Sequence, residues 1–256
     1  MIEFQNVSFS YDGKIPVVQK IDLVIGKGET VGLIGANGAG KSTIMKLMLG
    51  LLKPEGVILV DGLAVKKENL SDIRKKVGYV IQDSDNQMFM PTVYEDMMFG
   101  LRNYGMSKET AEARVDAVLC QLELQELKYR HNHKISGGEK RMAAIATVLA
   151  MQPEVILMDE PSTALDPFNR RSVIRTIQSL PQTKLIASHD LDMILETCDR
   201  VILLSHGQIV ADGDCSMILR DRALLERNRM ELPLCMQTRI PQQERRGVPK
   251  SIVNEI

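Results

Sequence analysis

The chain lacks any run of about 18 apolar residues, so no segment is expected to span a bilayer as a helix. Its first stretch, Met1 to Ser10, alternates apolar and polar residues and lacks the basic opening and apolar run of a secretory signal. Any attachment to a membrane is therefore expected to run through other proteins. An excess of one charge sign is also missing. The formal net charge is -1, which leaves no global basic field for nucleic acid. Cysteine is scarce: Cys120, Cys198, Cys215 and Cys235 share no CxxC or metal-like spacing and read as reduced cytosolic thiols. His131 and His133 lie two apart with no cysteine cluster near them, and read as polar surface side chains rather than metal ligands. No internal repeat or low-complexity tract is evident. What is present is ordinary globular material, 256 residues with 44% apolar and 25% charged side chains. That suffices for one large domain, or a domain plus an appendage.

Ile2, Phe4, Val7 and Phe9 suggest a first strand with a shift in register, and Val17 to Ile25 a second. Gly26, Lys27 and Gly28 make a turn. Thr30 to Ile34 is a short apolar strand that runs straight into glycines, and a helix is expected from about Lys41 to Leu51, stopping near Pro54. Further strands are expected at Val57 to Val60 and Val77 to Ile81. From Lys108 to Leu122, the residues Ala111, Val115, Val118, Leu119 and Leu122 share one helical face. Another helix runs from Gly137 to about Met151. Val155 to Met158 reads as a buried strand. Then follow a helix from Pro167, a strand at Lys184 to Ala187, a helix from Asp190 and a strand at Val201 to Leu204. Strands alternating with helices imply a parallel, layered α/β core, with the two early strands as a separate antiparallel layer. Beyond about Arg220 the character changes. Residues 220–256 hold eight Arg or Lys against five acidic residues, interrupted by Pro233, Pro241 and Pro249. This reads as a short helical appendage and an irregular tail.

The strongest local pattern is Gly35-Ala36-Asn37-Gly38-Ala39-Gly40-Lys41-Ser42-Thr43. It fits G-x-x-x-x-G-K-[ST] between a strand and a helix. Glycines let the backbone fold back so that its N–H groups point inward, and the helix N-terminus adds to this anion cradle. Lys41 supplies a point charge for the β- and γ-phosphates, and the Ser42 hydroxyl suits Mg²⁺. The pattern arises by chance in roughly one chain in a hundred of this length. A second feature is Val155 to Met158 followed by Asp159 and Glu160. The strand delivers Asp159 to its polar end, where it can hold Mg²⁺, and Glu160 can polarise a water as general base. Taken alone, this describes equally a strand that ends at the surface. A third is Ser136-Gly137-Gly138-Glu139, which has the form of a capping box. Two glycines exceed what a cap needs, and they open backbone N–H groups at a helix start as a second anion site. One chain has no use for two phosphate cradles so far apart, whereas a head-to-tail pair does.

These residues together resemble the ABC-type ATPases over essentially residues 1–215. Gly35 to Ser42 is similar to the Walker A motif, and Ser136-Gly137-Gly138-Glu139 to the LSGGQ signature, with Glu for Gln and Ile135 for Leu. Asp159-Glu160 is similar to Walker B with its catalytic glutamate, and Ser162 to Asp166 to the D-loop that reaches across a dimer. The resemblance assigns Gln82 to the Q-loop, touching Mg²⁺ and water, and His189 to the switch histidine near the γ-phosphate. It assigns Tyr11 to the aromatic that stacks on adenine. It implies a P-loop α/β fold with a parallel core, an antiparallel layer and a helical subdomain at about 83–150. The ATPase domain would then cover 1–220 and the appendage 221–256.

Gln82-Asp83-Ser84-Asp85-Asn86-Gln87-Met88-Phe89 also resembles the Q-N-P-D-D-Q-[LIV]-F segment of energy-coupling-factor ATPases, departing at Asp83, Ser84 and Asn86. Val93 to Gly100 and Glu231 to Leu234 resemble that branch too. The resemblance implies ATP and Mg²⁺ as ligands and a second ATPase subunit, the same chain or a homologue. It also implies a transmembrane coupling protein and a membrane substrate-binding protein, with this chain peripheral on the cytoplasmic face of the cell membrane. Met88, Phe89, Met90, Met97, Met98 and Phe99 either grip that coupling protein or fill a helical core. The rivals are an ATPase of another transporter class, a DNA-repair-like ATPase and a non-catalytic subunit. The second needs long coiled-coil insertions that find no room here, and the third is disfavoured by intact Lys41, Asp159, Glu160 and His189.

Overall fold

A computed structural model describes residues 1–237. The elements in chain order are β1 (Ile2–Ser10), β2 (Pro16–Ile25), β3 (Thr30–Ile34), α1 (Lys41–Met48), β4 (Glu55–Val60), β5 (Leu63–Ala64), α2 (Leu70–Lys76) and β6 (Val77–Val80). Next come α3 (Ser84–Gln87), α4 (Val93–Asn103), α5 (Lys108–Gln121), α6 (Gly137–Ala150), β7 (Val155–Asp159), α7 (Pro167–Ser179) and β8 (Thr183–Ala187). The described chain closes with α8 (Leu191–Thr197), β9 (Arg200–Ser205), β10 (Gln208–Asp214), α9 (Cys215–Arg220), α10 (Arg222–Arg227) and a 3₁₀ turn at Leu234–Met236.

Two sheets carry the fold. An antiparallel sheet has the order β2-β1-β4-β5, so the early strands do form their own layer. The register shift expected in β1 is present as irregular pairing with β2 between Phe4 and Ser10. The second sheet has the order β10-β9-β3-β8-β7-β6 and is parallel except for the β9–β10 hairpin. Its central strands β7 and β8 are buried at every position, as expected for a sheet covered on both faces. The side chains of Ile2, Phe4, Ile21, Ile58, Leu33 and Met45 fill the space between the two sheets and α1. Each such fully buried side chain contributes roughly 1.5–3 kcal/mol. On the opposite face, α4, α5 and α6 pack together through Val93, Met97, Leu101, Ala111, Val115, Leu119 and Ile145.

Several boundaries differ from expectation. α1 ends at Met48 rather than Leu51, because Gly50 turns the chain with φ 61°. β4 begins at Glu55. β10, whose burial alternates along its length, was not expected, and neither were α2 and α4. The methionine and phenylalanine cluster divides. Met88, Met97 and Met98 are core, while Phe89 and Phe99 are exposed and meet edge to face at 5.1 Å. Of the expected appendage, α10 and the 3₁₀ turn are seen. The irregular tail with Pro241 and Pro249 lies outside the described residues.

Candidate functional site

The carboxyl ends of β3, β6, β7 and β8 open on one crevice, the usual place for a ligand in a parallel sheet. A cleft of about 610 Å³ lies there. It is lined by Asn37 to Thr43 from the glycine-rich loop, together with Tyr11, Gln82, Asp159, Glu160 and His189. A larger cavity of about 780 Å³, walled by Gly35, Ser162 to Ala164 and the 229–237 segment, contains none of Lys41, Ser42, Asp159 or Glu160.

The loop leaves β3 at Gly35, where φ is +149° and an added Cβ would sit 2.4 Å from the Leu204 carbonyl oxygen. Only glycine fits that approach. The helix that follows is unusual in its start. α4, α5, α6 and α7 each begin with a side chain accepting from the first turn, from Thr92, Ser107, Ser136 and Asp166. α1 has Gly40 in that place, with no side-chain cap and no acid in its first turn. Its leading N–H groups and the positive end of its dipole therefore remain available to an anion. Lys41 is buried, and its ammonium donates to the Gly35 carbonyl at 2.8 Å and the Ala36 carbonyl at 3.3 Å. Burial draws its pKa below the ordinary lysine value, while the charges of Glu160 and Asp159 oppose that shift.

Asp159 ends β7 and is also buried. The Tyr79 hydroxyl donates to its Oδ2 at 3.2 Å. Burial first, then the charge and hydrogen bond of Asp159, raise the Tyr79 pKa well above ordinary tyrosine and keep it a donor. Glu160 turns back sharply from the strand with φ 50°, a conformation that costs a non-glycine residue roughly 1–2 kcal/mol. Its Oε2 accepts from Ser188 Oγ at 3.1 Å, His189 N at 3.2 Å and Thr163 Oγ1 at 3.3 Å, and lies 2.7 Å from His189 Nδ1. The imidazole is otherwise exposed. Tyr11 stands at the rim, exposed, edge to face with Phe9 at 4.9 Å and 3.3 Å from Thr43 Oγ1 through its hydroxyl.

The residues expected to hold Mg²⁺ are Ser42, Gln82 and Asp159, a hydroxyl, an amide and a carboxylate that all line this cleft. An all-oxygen set of this kind suits a hard ion that keeps waters and phosphate oxygens as its other ligands. No denser His, Cys, Asp or Glu cluster suited to a metal occurs among the described residues.

Ser136 to Glu139 and Asp166 are not in the cleft. Ser136 and Gly137 are exposed, and Ser136 and Glu139 bond reciprocally: Ser136 N donates to Glu139 Oε2 at 2.7 Å, and Glu139 N to Ser136 Oγ at 3.3 Å. Asp166 is exposed and caps α7 through Phe168 N and Asn169 N, which with the Asn169 side chain hold its pKa low. Sequence reasoning missed Tyr79, Ser188 and Arg141. It also missed the cluster in which Asp190 accepts from Ser162 and, through two nitrogens, from Arg170. No local signal marks these residues, since each acts on a partner 20 to 80 positions away.

The profile of a family described as ABC transporter matches residues 18–163. A putative ABC transporter ATP-binding protein of Gloeobacter violaceus is 45% identical over 91% of this chain and 96% of its own length. The energy-coupling factor transporter ATP-binding protein EcfA of Methanothermobacter thermautotrophicus is 41% identical over 91% of this chain and 77% of its own. Among solved structures, cbiO1 of Clostridium perfringens, part of the ABC transporter complex cbiONQ, superposes with a TM-score of 0.79 at 30% identity, covering 88% of this chain and 93% of that one.

Proposed function

The chain belongs to the ABC transporter family and is one of its ATPases, and on that premise we propose that it drives solute import as a subunit of an energy-coupling-factor type transporter. The observation that carries the reading is the cleft itself. An uncapped helix start and a buried lysine face two buried carboxylates, and an oriented histidine stands beside them.

Residues 1–220 form the ATPase domain, with the helices of about 83–150 as its arm and 221–256 as an appendage. ATP lies with its phosphates along Gly35 to Thr43, where the free N–H groups of α1 and the Lys41 ammonium meet its charge. Tyr11 stacks on the adenine at the rim. Ser42, Gln82 and Asp159 would hold Mg²⁺, which would supply positive charge to offset the charge that develops on the phosphate. Glu160 takes the proton of the attacking water, and His189, oriented through Nδ1, presents Nε2 to the γ-phosphate. Three hydrogen bonds and the close His189 Nδ1 contact all fall on Glu160 Oε2, so its other oxygen is the one assigned to the water. Positioning and charge stabilisation supply most of the acceleration.

The cleft is half a site. A second subunit, the same chain or a homologue, brings Ser136 to Glu139 and Asp166 against the nucleotide, which accounts for the exposure of Ser136, Gly137 and Asp166 here. Closing and reopening of the pair passes to a transmembrane coupling protein through the region after Gln82. A membrane protein of the same complex binds the solute. The chain sits on the cytoplasmic face of the membrane and binds no nucleic acid. Its 41% identity to EcfA supports this branch over other transporter classes.

Glu160→Gln tests the reading. It preserves shape and should leave ATP affinity unchanged, while phosphate release falls about 10²- to 10⁴-fold. Unchanged turnover in the purified complex would remove Glu160 from the role of base. Co-purification from membranes tests the branch. Recovery of a transporter that has no separate solute-binding membrane subunit would rule it out.

A further inference from the structure

Gln82 owes its place in the cleft to a helix that does not otherwise touch it. β6 ends at Val80, and the next two peptides are bonded to α6 through side chains. Arg141 of α6 donates Nη1 to the Ile81 carbonyl at 2.7 Å and Nη2 to the Gln82 carbonyl. Gln87 accepts from Ile81 N at 3.0 Å and donates to the α6 carbonyl of Ala144 at 2.8 Å and to Thr147 Oγ1 at 3.3 Å. Lys140, also on α6, pairs with Asp85. The segment from Ile81 to Gln87 is thus held by three successive turns of α6.

Arg141 is a costly way to hold it. The side chain is 4% exposed, and its Nε has no hydrogen-bond partner. Its two bonds go to neutral carbonyls, and no salt bridge reaches it among the described residues. Burial pulls its pKa down, and the nearby charges of Asp83 and Asp159 only partly oppose this. A buried ion with so little compensation destabilises a fold, and an apolar side chain of the same length would pack there at lower cost. Packing therefore does not account for an arginine at this point. Its planar fork, which spans two consecutive carbonyls, does. α6 also begins at Gly137, little more than one helical turn before Arg141.

We propose that Arg141 is a positioning residue that acts through Gln82. It fixes the Gln82 amide in the cleft and makes its position follow that of α6. Seating the Ser136–Gly138 turn on one nucleotide and placing Gln82 at the other then become a single rigid movement. The proposal rests on the two-subunit reading above.

The test uses the full chain and steady-state phosphate release against MgATP, with fluorescent-nucleotide affinity and thermal melting alongside. Arg141→Met should lower kcat at least about tenfold, leave nucleotide affinity within about threefold, and leave the melting temperature equal or higher. Arg141→Lys keeps the charge but reaches one carbonyl, and should fall between. The double variant with Gln82→Ala should be no slower than the slower single variant, since both remove the same contact. Wild-type turnover in Arg141→Met, or a double variant whose loss multiplies the two single losses, would overturn the proposal. So would wild-type turnover in Gln82→Ala, or a loss in Arg141→Met carried by nucleotide affinity. If Arg141→Met does not fold, full turnover in Arg141→Lys overturns it and partial turnover supports it. Failure of the ATPase reading is separate, because it would appear as unchanged turnover in Glu160→Gln.

Discussion

Gly137 and Gly138 are neighbours at the start of α6, and alanine should affect them in opposite ways. A Cβ on Gly138 would lie 2.1 to 2.5 Å from the amide atoms of Asn169, too close for any side chain. Asn169 would have to swing away, breaking its bond to the Asp166 carboxylate. Loss of one hydrogen bond to a charged group costs about 1.5–3 kcal/mol, and the better helix propensity of alanine returns about 0.5–1 kcal/mol. The net loss is about 1–2 kcal/mol, or a drop of roughly 2–8 °C in melting temperature for a chain of this size. A Cβ on Gly137 meets nothing within 4 Å and needs no positive φ. Gly137→Ala should therefore melt at the wild-type temperature or up to a few degrees above it. Phosphate release should nevertheless collapse in both variants, because the proposed two-subunit arrangement puts the partner subunit's nucleotide in the open space beside Gly137. Melting curves and phosphate release on the same preparations decide the matter. Full turnover in Gly137→Ala would mean that this space stays open in the working assembly, and the shared-nucleotide reading would fail.

Tyr79→Phe removes the donor on Asp159 Oδ2 and should raise the Mg²⁺ concentration for half-maximal turnover by about tenfold; an unchanged Mg²⁺ titration would contradict it. Burial pushes the Asp190 pKa up, but bonds from Arg170, Met193 N and Ser162 outweigh it and hold the value below the ordinary 3.8. A depressed folded pKa contributes stability that is present above 3.8 and lost as pH falls through the folded value. The melting-temperature gap between wild type and Asp190→Asn should therefore narrow in acid, and an equal gap at neutral pH and near pH 3 would refute this. Burial pushes the Cys198 and Cys215 thiols up to about 12, whereas Cys120 and Cys235 are exposed. An alkylating reagent at mildly alkaline pH should modify two thiols in the native protein and four after unfolding; rapid modification of four in the native protein would show that the buried pair opens readily.

Local patterns carried the central strands and the glycine-rich loop. Thr30–Ile34 is a short apolar run that leads straight into Gly35, and Val155–Asp159 is one that ends in a carboxylate; burial on both faces explains the lack of alternation. The face of α5 was equally plain, since Ala111, Val115, Val118 and Leu119 repeat at helical spacing and are buried. β10 escaped notice because Gln208–Asp214 is an edge strand, half polar and rich in Asp and Gly, which is poor strand material by propensity. The Met and Phe cluster could not be sorted from sequence. Met97 and Met98 go inward and Phe99 outward, although all three are apolar neighbours on α4. The motifs singled out Lys41, Asp159 and Glu160, which line one cleft, but said nothing of what holds them. Tyr79 reaches Asp159 across 80 positions, and Arg141 reaches Ile81 across 60. Such pairs leave no periodic trace in the chain.

The energetic cost of the cleft sets it apart independently of any motif. Nine non-glycine residues have positive φ among those described, and backbone strain alone does not distinguish them. Eight of them, from Asn6 to Arg229, are exposed, in positions where the chain turns with its side chains in water. Glu160 is the one that is buried, and a buried carboxylate in a strained conformation requires strong compensation. It obtains that from Ser188, His189 and Thr163, and from the field of Lys41, itself buried with only carbonyls as hydrogen-bond partners. Arg141, a few residues into α6, repeats the same arrangement. Two cations bonded to neutral carbonyls therefore stand near two buried carboxylates, and an uncapped helix start lies beside them. A polyanion with its divalent ion would satisfy the lysine and the helix start together. Left without one, the cleft holds free energy that binding can release, and a fold selected for stability alone would have no reason to retain it.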